Sequence, residues 1–535
     1  MKLCQLRMNN FKSFWSKESS ISIKIIGHAF FVVYLFLAFV FYKERTIFID
    51  CADFSFDLIQ SNNFVLPHGR WSSFFTQIIP LLAIKLGGSL ELVLKSYSLS
   101  IALFYYVVFL IVAYAFKNNN KLIALYLLTL CLTVRNTFYF SIAELLQGLA
   151  LCVIVYGLAK QLTIKEEKRK WLKTALIVIL SATLYYFHQL MLFAIVFALL
   201  AIIINKKAYA NKHLLIAFVL TNIWFGAKIL LLSSGGYEGQ KMPDLETFIQ
   251  QVPNIFSLPS FKYFFNFLKA EIWYAIILMF GSIVVLWRRK KQLLAIFFLL
   301  YFISYLVLIV ITYHKGESPN MYELYYVLFG FFIGVALDVV IEKIDRRIVF
   351  YSFLTILIFS VNRMYLAHEK PSMRITFLEK LVEKGREHSE RKYVLNVNDF
   401  PWNYAWVTWA VPIETVLISS LDNKETITCF VSKEPSNLKL NVVRGKILSP
   451  PWLRYEMNTT TLKKSYFSLP TNTPYRMLGK KQKVKAPKDF SYYLKRIAKD
   501  NKWMEEIEKK ALKLNISRDS SLAIDARFWA EKNGY

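Results

Sequence analysis

Long apolar runs separated by short basic loops constrain the fold of this chain more than any other feature. The runs lie at residues 25–42, 96–116, 122–134, 138–159, 174–188, 190–204, 214–232, 271–287, 293–313, 322–341 and 348–366. About 20 helical residues are needed to cross a hydrocarbon core of about 30 Å. The runs therefore predict a mainly α-helical, multi-pass membrane protein with about 11 transmembrane helices.

The positions of lysine and arginine predict the orientation. Basic residues collect before residue 25 and in the loops at 163–173, 205–213, 288–291 and 342–347. Cytoplasmic loops of membrane proteins carry an excess of Lys and Arg. We therefore expect a cytoplasmic N-terminus and a first loop, at about 43–95, on the opposite side. This bias accounts for much of the net charge of +29, and no nucleic-acid-binding motif accompanies it, so nucleic acid is not an expected partner.

The apolar stretch at 174–204 admits either one long tilted helix or two short helices joined by a turn at His188. A single helix would place Lys206, Lys207 and Lys212 on the non-cytoplasmic side. Because that contradicts the charge rule, the sequence favours two helices.

Residues 367–535 contain no run long enough to span a membrane. The segments KYVLNVNDF and ETITCFVSK have the composition of strands, and a lysine-rich helical segment follows at 491–514. We therefore predict a transmembrane domain at 1–366 and a small soluble α+β domain at 367–535, outside the membrane on the non-cytoplasmic side.

Ionisable residues from separate parts of the chain fall on that same side under this topology. They are Asp50, Asp53, Asp57, His68, Arg70, Arg135, Glu144, His188, His314 and Glu317. Charged groups at membrane depth are costly and commonly line a cavity or a site. A carboxylate there can act as a general base, while Arg and His can hold the phosphate of a lipid-linked leaving group. Alternatively, Asp50 and Asp53 can hold a divalent cation such as Mg²⁺ or Mn²⁺ through oxygen ligands.

The segment at 72–88 is apolar but short, and Pro80 interrupts it. Phe74, Ile78 and Leu82 share one helical face, which predicts an interfacial helix lying on the outer leaflet. Such a helix beside an acidic loop is suited to presenting a lipid carrier. The residue set fits glycosyl transfer from a polyprenyl-phosphate sugar, and more loosely a proton-coupled transporter; spacing alone does not separate the two.

The layout of residues 25–366 resembles the GT-C superfamily of integral-membrane glycosyltransferases, such as aminoarabinose transferases and protein mannosyltransferases. The matching features are the acids Asp50, Asp53 and Asp57, the Pro80–Leu81–Leu82 segment that ends near Gly87, SIAE at 141–144, and the charged segment at 316–326. Two departures are the wider spacing of the acids in DCAD and Tyr322–Glu323 where the family has Arg-Tyr.

This resemblance implies an inverting glycosyltransferase of the bacterial inner membrane. The enzyme would move a sugar from a polyprenyl-phosphate donor to a glycan, lipid or protein acceptor on the periplasmic side. Asp53, in the acid–x–x–aromatic position, is the first expectation for the catalytic base and Asp50 the second. Asp57, His68, Arg70, Arg135, Glu144, His188, His314 and Glu317 are expected to bind substrate. The alternatives are a glycan polymerase or ligase with a diphosphate-linked donor, and a non-enzymatic lipid or glycan transporter.

Overall fold

A computed structural model describes most of the chain. The described residues are 17–116, 119–231, 245–314, 319–341, 344, 346–387, 391–421, 425–434, 445–449, 458–478, 490–514 and 516–532. They form two compact units, Met1–Arg476 and Met477–Tyr535. Glu317 and the side chain of His68 lie outside the described parts.

Within the ranges that the structure describes, the first unit opens with sixteen helices. They are α1 Lys17–Val40, α2 Tyr42–Thr46, α3 Asp50–Ser61, α4 Ser72–Lys85, α5 Leu90–Ala115, α6 Asn120–Cys131, α7 Glu144–Leu162, α8 Lys170–Tyr185, α9 Met191–Lys206, α10 Lys212–Leu230, α11 Leu245–Gln251, α12 Pro259–Phe267, α13 Trp273–Arg288, α14 Gln292–Thr312, α15 Pro319–Val340 and α16 Arg346–Leu366. A π-helical turn, Leu268–Ile272, joins α12 to α13.

Within the described residues, eight helices are long and apolar enough to cross a membrane: α1, α5, α7, α10, α12 with α13, α14, α15 and α16. A helix lies at each of the eleven predicted runs, but α6, α8 and α9 have only 12, 16 and 16 residues. At 1.5 Å per residue, α6 extends over about 18 Å, well short of a hydrocarbon core. The structure thus supports a multi-pass helical membrane protein with eight spans by this criterion, and not eleven.

The stretch at 174–204 is divided between two helices. Helix α8 ends at Tyr185 and α9 begins at Met191, so the break falls at the predicted position around His188. Lys206 is the last residue of α9, and α10 begins at Lys212. The prediction of two helices is confirmed.

Helices α7 and α15 form the centre of the helical bundle. Of their apolar windows, 83% and 89% are buried inside the protein, against 28% for the windows of α10 and α16. Gly157 permits close packing of α7, because a Cβ atom there would lie 2.7 Å from side-chain carbons of Leu122 and Phe116. Small residues at such contacts let transmembrane helices approach closely.

The polar part of the first unit follows α16. It contains α17 Glu369–Arg386, β1 Lys392–Asn396, α18 Trp402–Ala405, α19 Val411–Ser420 and β2 Thr428–Ser432. Strands β1 and β2 pair in parallel from Lys392 opposite Thr428 to Asn396 opposite Ser432. A third short strand, β3, lies at Arg476–Leu478, where the first unit ends. Both strands predicted from the sequence are confirmed, and the parallel pairing requires the helical crossover between them.

The described part of the second unit contains three helices, α20 Phe490–Ala498, α21 Asn501–Leu514 and α22 Arg518–Lys532. Tyr493, Ile497, Ile507, Leu522 and Ala526 form its buried core. The first compact unit continues past residue 366 to Arg476. The boundary predicted at residue 366, between a transmembrane domain and a soluble domain, stays a prediction.

We predict that Gly157→Leu destabilises the bundle, because the new side chain meets Leu122 and Phe116. Overpacking of this kind costs typically about 1–3 kcal/mol. The measurement is the apparent Tm in detergent. Gly281→Leu in α13 is the matched control, since no atom lies within 4 Å of its Cβ position. Equal Tm values for the two variants would contradict the packing assigned to α7.

Candidate active site

The three aspartates of the first loop share one face of α3. Asp50, Asp53 and Asp57 stand at positions i, i+3 and i+7 of this helix, a spacing that aligns side chains on one stripe. Asp53 is buried at 7% exposure, whereas Asp50 and Asp57 are half-buried. Asp50 and Asp53 also lie in the first turn, where the helix dipole favours negative charge.

The opposite side of α3 packs against the segment that precedes α7. The Cys51 thiol lies 3.6 Å from the Ser141 hydroxyl, and Ser141 in turn donates to the carbonyl of Arg45 at 2.6 Å. Burial raises the pKa of Cys51 to about 11, so its thiol stays protonated near neutral pH. These contacts bring the SIAE segment beside the acidic helix, although nearly 90 residues separate them in sequence.

Arg70 and Glu144 form an ion pair between the first loop and the start of α7. The Arg70 Nη1 lies 3.2 Å from the Glu144 Oε2, and the two side chains are 13% and 15% exposed. Both residues were predicted as site residues, and the structure brings them together. The pair is shielded enough from water for its charges to interact more strongly than a surface pair.

His188 lies in the break between α8 and α9. Its Nδ1 accepts the backbone N–H of Leu190 at 3.1 Å. The first loop reaches the same break, because the backbone N–H of Trp71, next to Arg70, donates to the carbonyl of Tyr186 at 3.0 Å. His188 is thus held near the chain segment that carries Arg70.

His314 follows α14 and its Nδ1 lies 3.1 Å from the carbonyl oxygen of Ile311. The neighbouring Tyr313 stacks on Tyr325 of α15 at 4.5 Å between ring centroids, and His188 meets the same Tyr325 ring at 6.5 Å. The Tyr325 ring therefore contacts both His188 and Tyr313, the residue next to His314.

Arg135 belongs to a second polar cluster, with Glu271, Tyr274 and Arg363. The Arg135 guanidinium pairs with Glu271, which lies in the π-helical turn. Arg363, near the end of α16, lies 3.3 Å from the other Glu271 oxygen and donates to the Tyr274 hydroxyl. Glu271 and Arg363 were not predicted as site residues from the sequence. The pattern that could have identified them is a charged residue at the edge of an apolar run.

Glu323 anchors the turn that contains Arg135. Its carboxylate accepts the backbone N–H groups of Arg135, Asn136 and Thr137 at 2.7–3.0 Å, and is only 1% exposed. The side chains of Asn136 and Thr137 add two more hydrogen bonds. Five donors satisfy this buried carboxylate, which identifies it as a structural anchor of the turn.

Helix α4 exposes an apolar face. Phe75, Ile78, Ile79 and Leu82 are exposed on it, and Leu86, directly after the helix, is exposed as well. Phe74, expected on this face, is instead half-buried, because its ring packs on Phe64 at 4.5 Å. An exposed apolar stripe on a short helix has the form of an interfacial helix.

Among the described side chains, no group of three or more His, Cys, Asp or Glu lies close enough together to hold a metal ion. Comparisons with protein-family models, with curated proteins and with solved structures found no match to this chain. The likeness to the GT-C superfamily therefore rests on the residues of this chain alone.

We predict that Arg70 and Glu144 are energetically coupled. Removing either partner leaves a partly buried charge without its counter-ion, so Arg70→Met and Glu144→Gln should each lower stability more than a surface substitution does. The double variant should then recover about 0.5–3 kcal/mol relative to the sum of the single losses. The cycle is measured by thermal unfolding in detergent, and strictly additive losses would contradict the coupling.

Proposed function

We propose that this protein is a glycosyltransferase that moves a sugar from a polyprenyl-phosphate donor to a cell-envelope glycan, lipid or protein. The observation that carries the proposal is that the first loop carries or contacts three features. These are the acidic face of α3, the Arg70–Glu144 pair and the exposed apolar face of α4. Together they offer a base, a cation for a phosphate and an apolar surface for a lipid chain.

In the proposed reaction, a carboxylate of α3 takes the proton from an acceptor hydroxyl. The resulting oxygen nucleophile attacks the anomeric carbon of the sugar, and the bond from that carbon to the phosphate oxygen breaks. The polyprenyl phosphate leaves with the electron pair of the broken bond, and attack from the opposite face inverts the configuration. Exposure favours Asp50 as the base over Asp53, because a base must reach its proton within hydrogen-bond distance.

Arg70 is the proposed partner of the leaving phosphate. A guanidinium presents several N–H donors in a planar fork that suits a phosphate, which is the reason for assigning this role to Arg70. We assign His188 to the same end of the donor, because the Trp71–Tyr186 hydrogen bond holds its helix break beside the Arg70 segment. His314 is the proposed contact to donor or acceptor, and Arg135 contributes at most indirectly, since Glu271 pairs with its guanidinium.

We place this reaction at the periplasmic face of a bacterial inner membrane, with a cytoplasmic N-terminus. The support is the bias of Lys and Arg towards the loops opposite the acidic cluster. The alternative role for the two acids is to hold a divalent cation, for which Asp50 and Asp53 would supply oxygen ligands in place of the general base.

We predict that Asp50→Asn and Asp53→Asn each reduce transfer, with the larger loss at the base. Loss of a general base costs about 10²–10⁴-fold in rate. The measurement is transfer of labelled sugar from polyprenyl phosphate by purified protein in lipid. Asp399→Asn, an exposed acid in the polar region, is the matched control and should transfer at the wild-type rate.

Wild-type transfer by the double variant Asp50→Asn/Asp53→Asn would contradict this mechanism. A different pattern would support a polymerase or ligase. In that case Arg70→Ala and Arg135→Ala would lose most of the transfer activity, the aspartate variants would keep full activity, and only a diphosphate-linked donor would be used. Transport of a lipid or glycan without covalent transfer of a sugar would support the transporter alternative.

A further inference from the structure

The residue before the acidic helix has an unfavourable backbone conformation. Ile49 precedes Asp50 and has a φ of 50° and a ψ of −117°. Positive φ is rare outside glycine and is a clear outlier for a β-branched side chain. Such a conformation persists only where the surroundings enforce it, and such sites concentrate where function depends on geometry.

A buried ion pair enforces this conformation. The backbone N–H of Ile49 donates to the Glu414 Oε1 at 2.8 Å. Glu414 is also bound by the Arg374 guanidinium through two hydrogen bonds, at 2.9 Å from Nε and 2.6 Å from Nη2. Both side chains are 0% exposed. The acceptor of the Ile49 N–H is therefore fixed in position, since its carboxylate is clamped from the other side.

The same arginine holds a second residue with positive φ. Arg374 Nη1 donates to the carbonyl oxygens of Ala405 and Val407, on either side of Trp406, whose φ is 57°. The Trp406 ring packs against Phe48 at 5.5 Å and stacks on Phe140 at 6.4 Å. One ion pair thus controls two strained backbone positions that meet in a single apolar cluster.

We propose that Glu414 and Arg374 are positioning residues for the acidic face of α3. This inference rests on the proposed function. The backbone conformation of Ile49 sets the direction of α3, because Asp50, the first residue of α3, follows Ile49 directly. If Ile49 relaxed to negative φ, the first turn of α3 would rotate and the aspartates would move relative to Arg70 and Glu144. The polar region after residue 366 therefore holds the catalytic geometry in place.

The first test uses Glu414→Gln, which retains an acceptor oxygen but loses the charge that clamps it. Hydrogen exchange at the amides of residues 50–61 should become faster than in the wild type, whether or not a substrate is known. In the transfer assay kcat should fall by about 10²-fold, as for a misplaced catalytic group, with little change in KM for the donor. Glu379→Gln is the matched control, because Glu379 pairs with Lys43 across the same two regions but is only half-buried.

The second test is rescue by Ile49→Gly in the Glu414→Gln background. Glycine adopts positive φ at no steric cost, so the native direction of α3 becomes accessible again without the clamp. Part of the lost kcat should return although Tm falls further, because the Ile49 side chain is itself buried. A merely structural role predicts the opposite result, with activity following Tm downwards.

Unchanged exchange at residues 50–61 in Glu414→Gln would overturn the inference whatever the activity. If Glu414→Gln does not fold, Arg374→Lys provides the same test, because lysine keeps the charge but cannot make the forked contacts of Arg374. No transfer by the wild type, together with faster exchange in the variants, would overturn the proposed function and leave the positioning intact.

Discussion

The buried ion pair between Arg374 and Glu414 connects the polar region of the first unit to the start of the acidic helix. Burying two charges is costly, and the cost is offset only where geometry is good and the remaining donors and acceptors are satisfied. Here Arg374 binds two carbonyl groups and a carboxylate, and Glu414 also accepts the Ile49 N–H. The direction of α3, and with it the placement of Asp50 and Asp53, depends on this arrangement.

The other features of the candidate site are those expected of a site at a membrane surface. The first loop, between two helices of the bundle, carries carboxylates, a partly shielded arginine and an exposed apolar helix face. The central helices α7 and α15 are the most buried of the candidate spans, and α7 begins at Glu144 itself. The Arg70–Glu144 pair is therefore attached to a densely packed part of the bundle, which favours a pre-organised site.

Much of the helical layout could be predicted, because apolar runs and basic loops report directly on a membrane environment. The break at His188 and the strands that begin at Lys392 and Thr428 could likewise be predicted from charge and composition. The lengths of α6, α8 and α9 also agree with their runs to within one residue, but turn geometry shifts the ends of these helices by up to four residues from the positions that hydropathy indicated. Glu414, Arg374, Glu271 and Arg363 escaped prediction because their partners are distant in sequence, and pairing between remote charges leaves no local pattern.

The most direct test of the central claim is lipid binding by the purified protein in a bilayer mimetic. Polyprenyl phosphate and its sugar conjugate are titrated against wild type and Asp50→Asn, and thermal stabilisation is recorded. A ligand of the folded state raises Tm by mass action, so both proteins should be stabilised while only the wild type turns over at full rate. The absence of stabilisation by either lipid would contradict a polyprenyl-phosphate-dependent transferase.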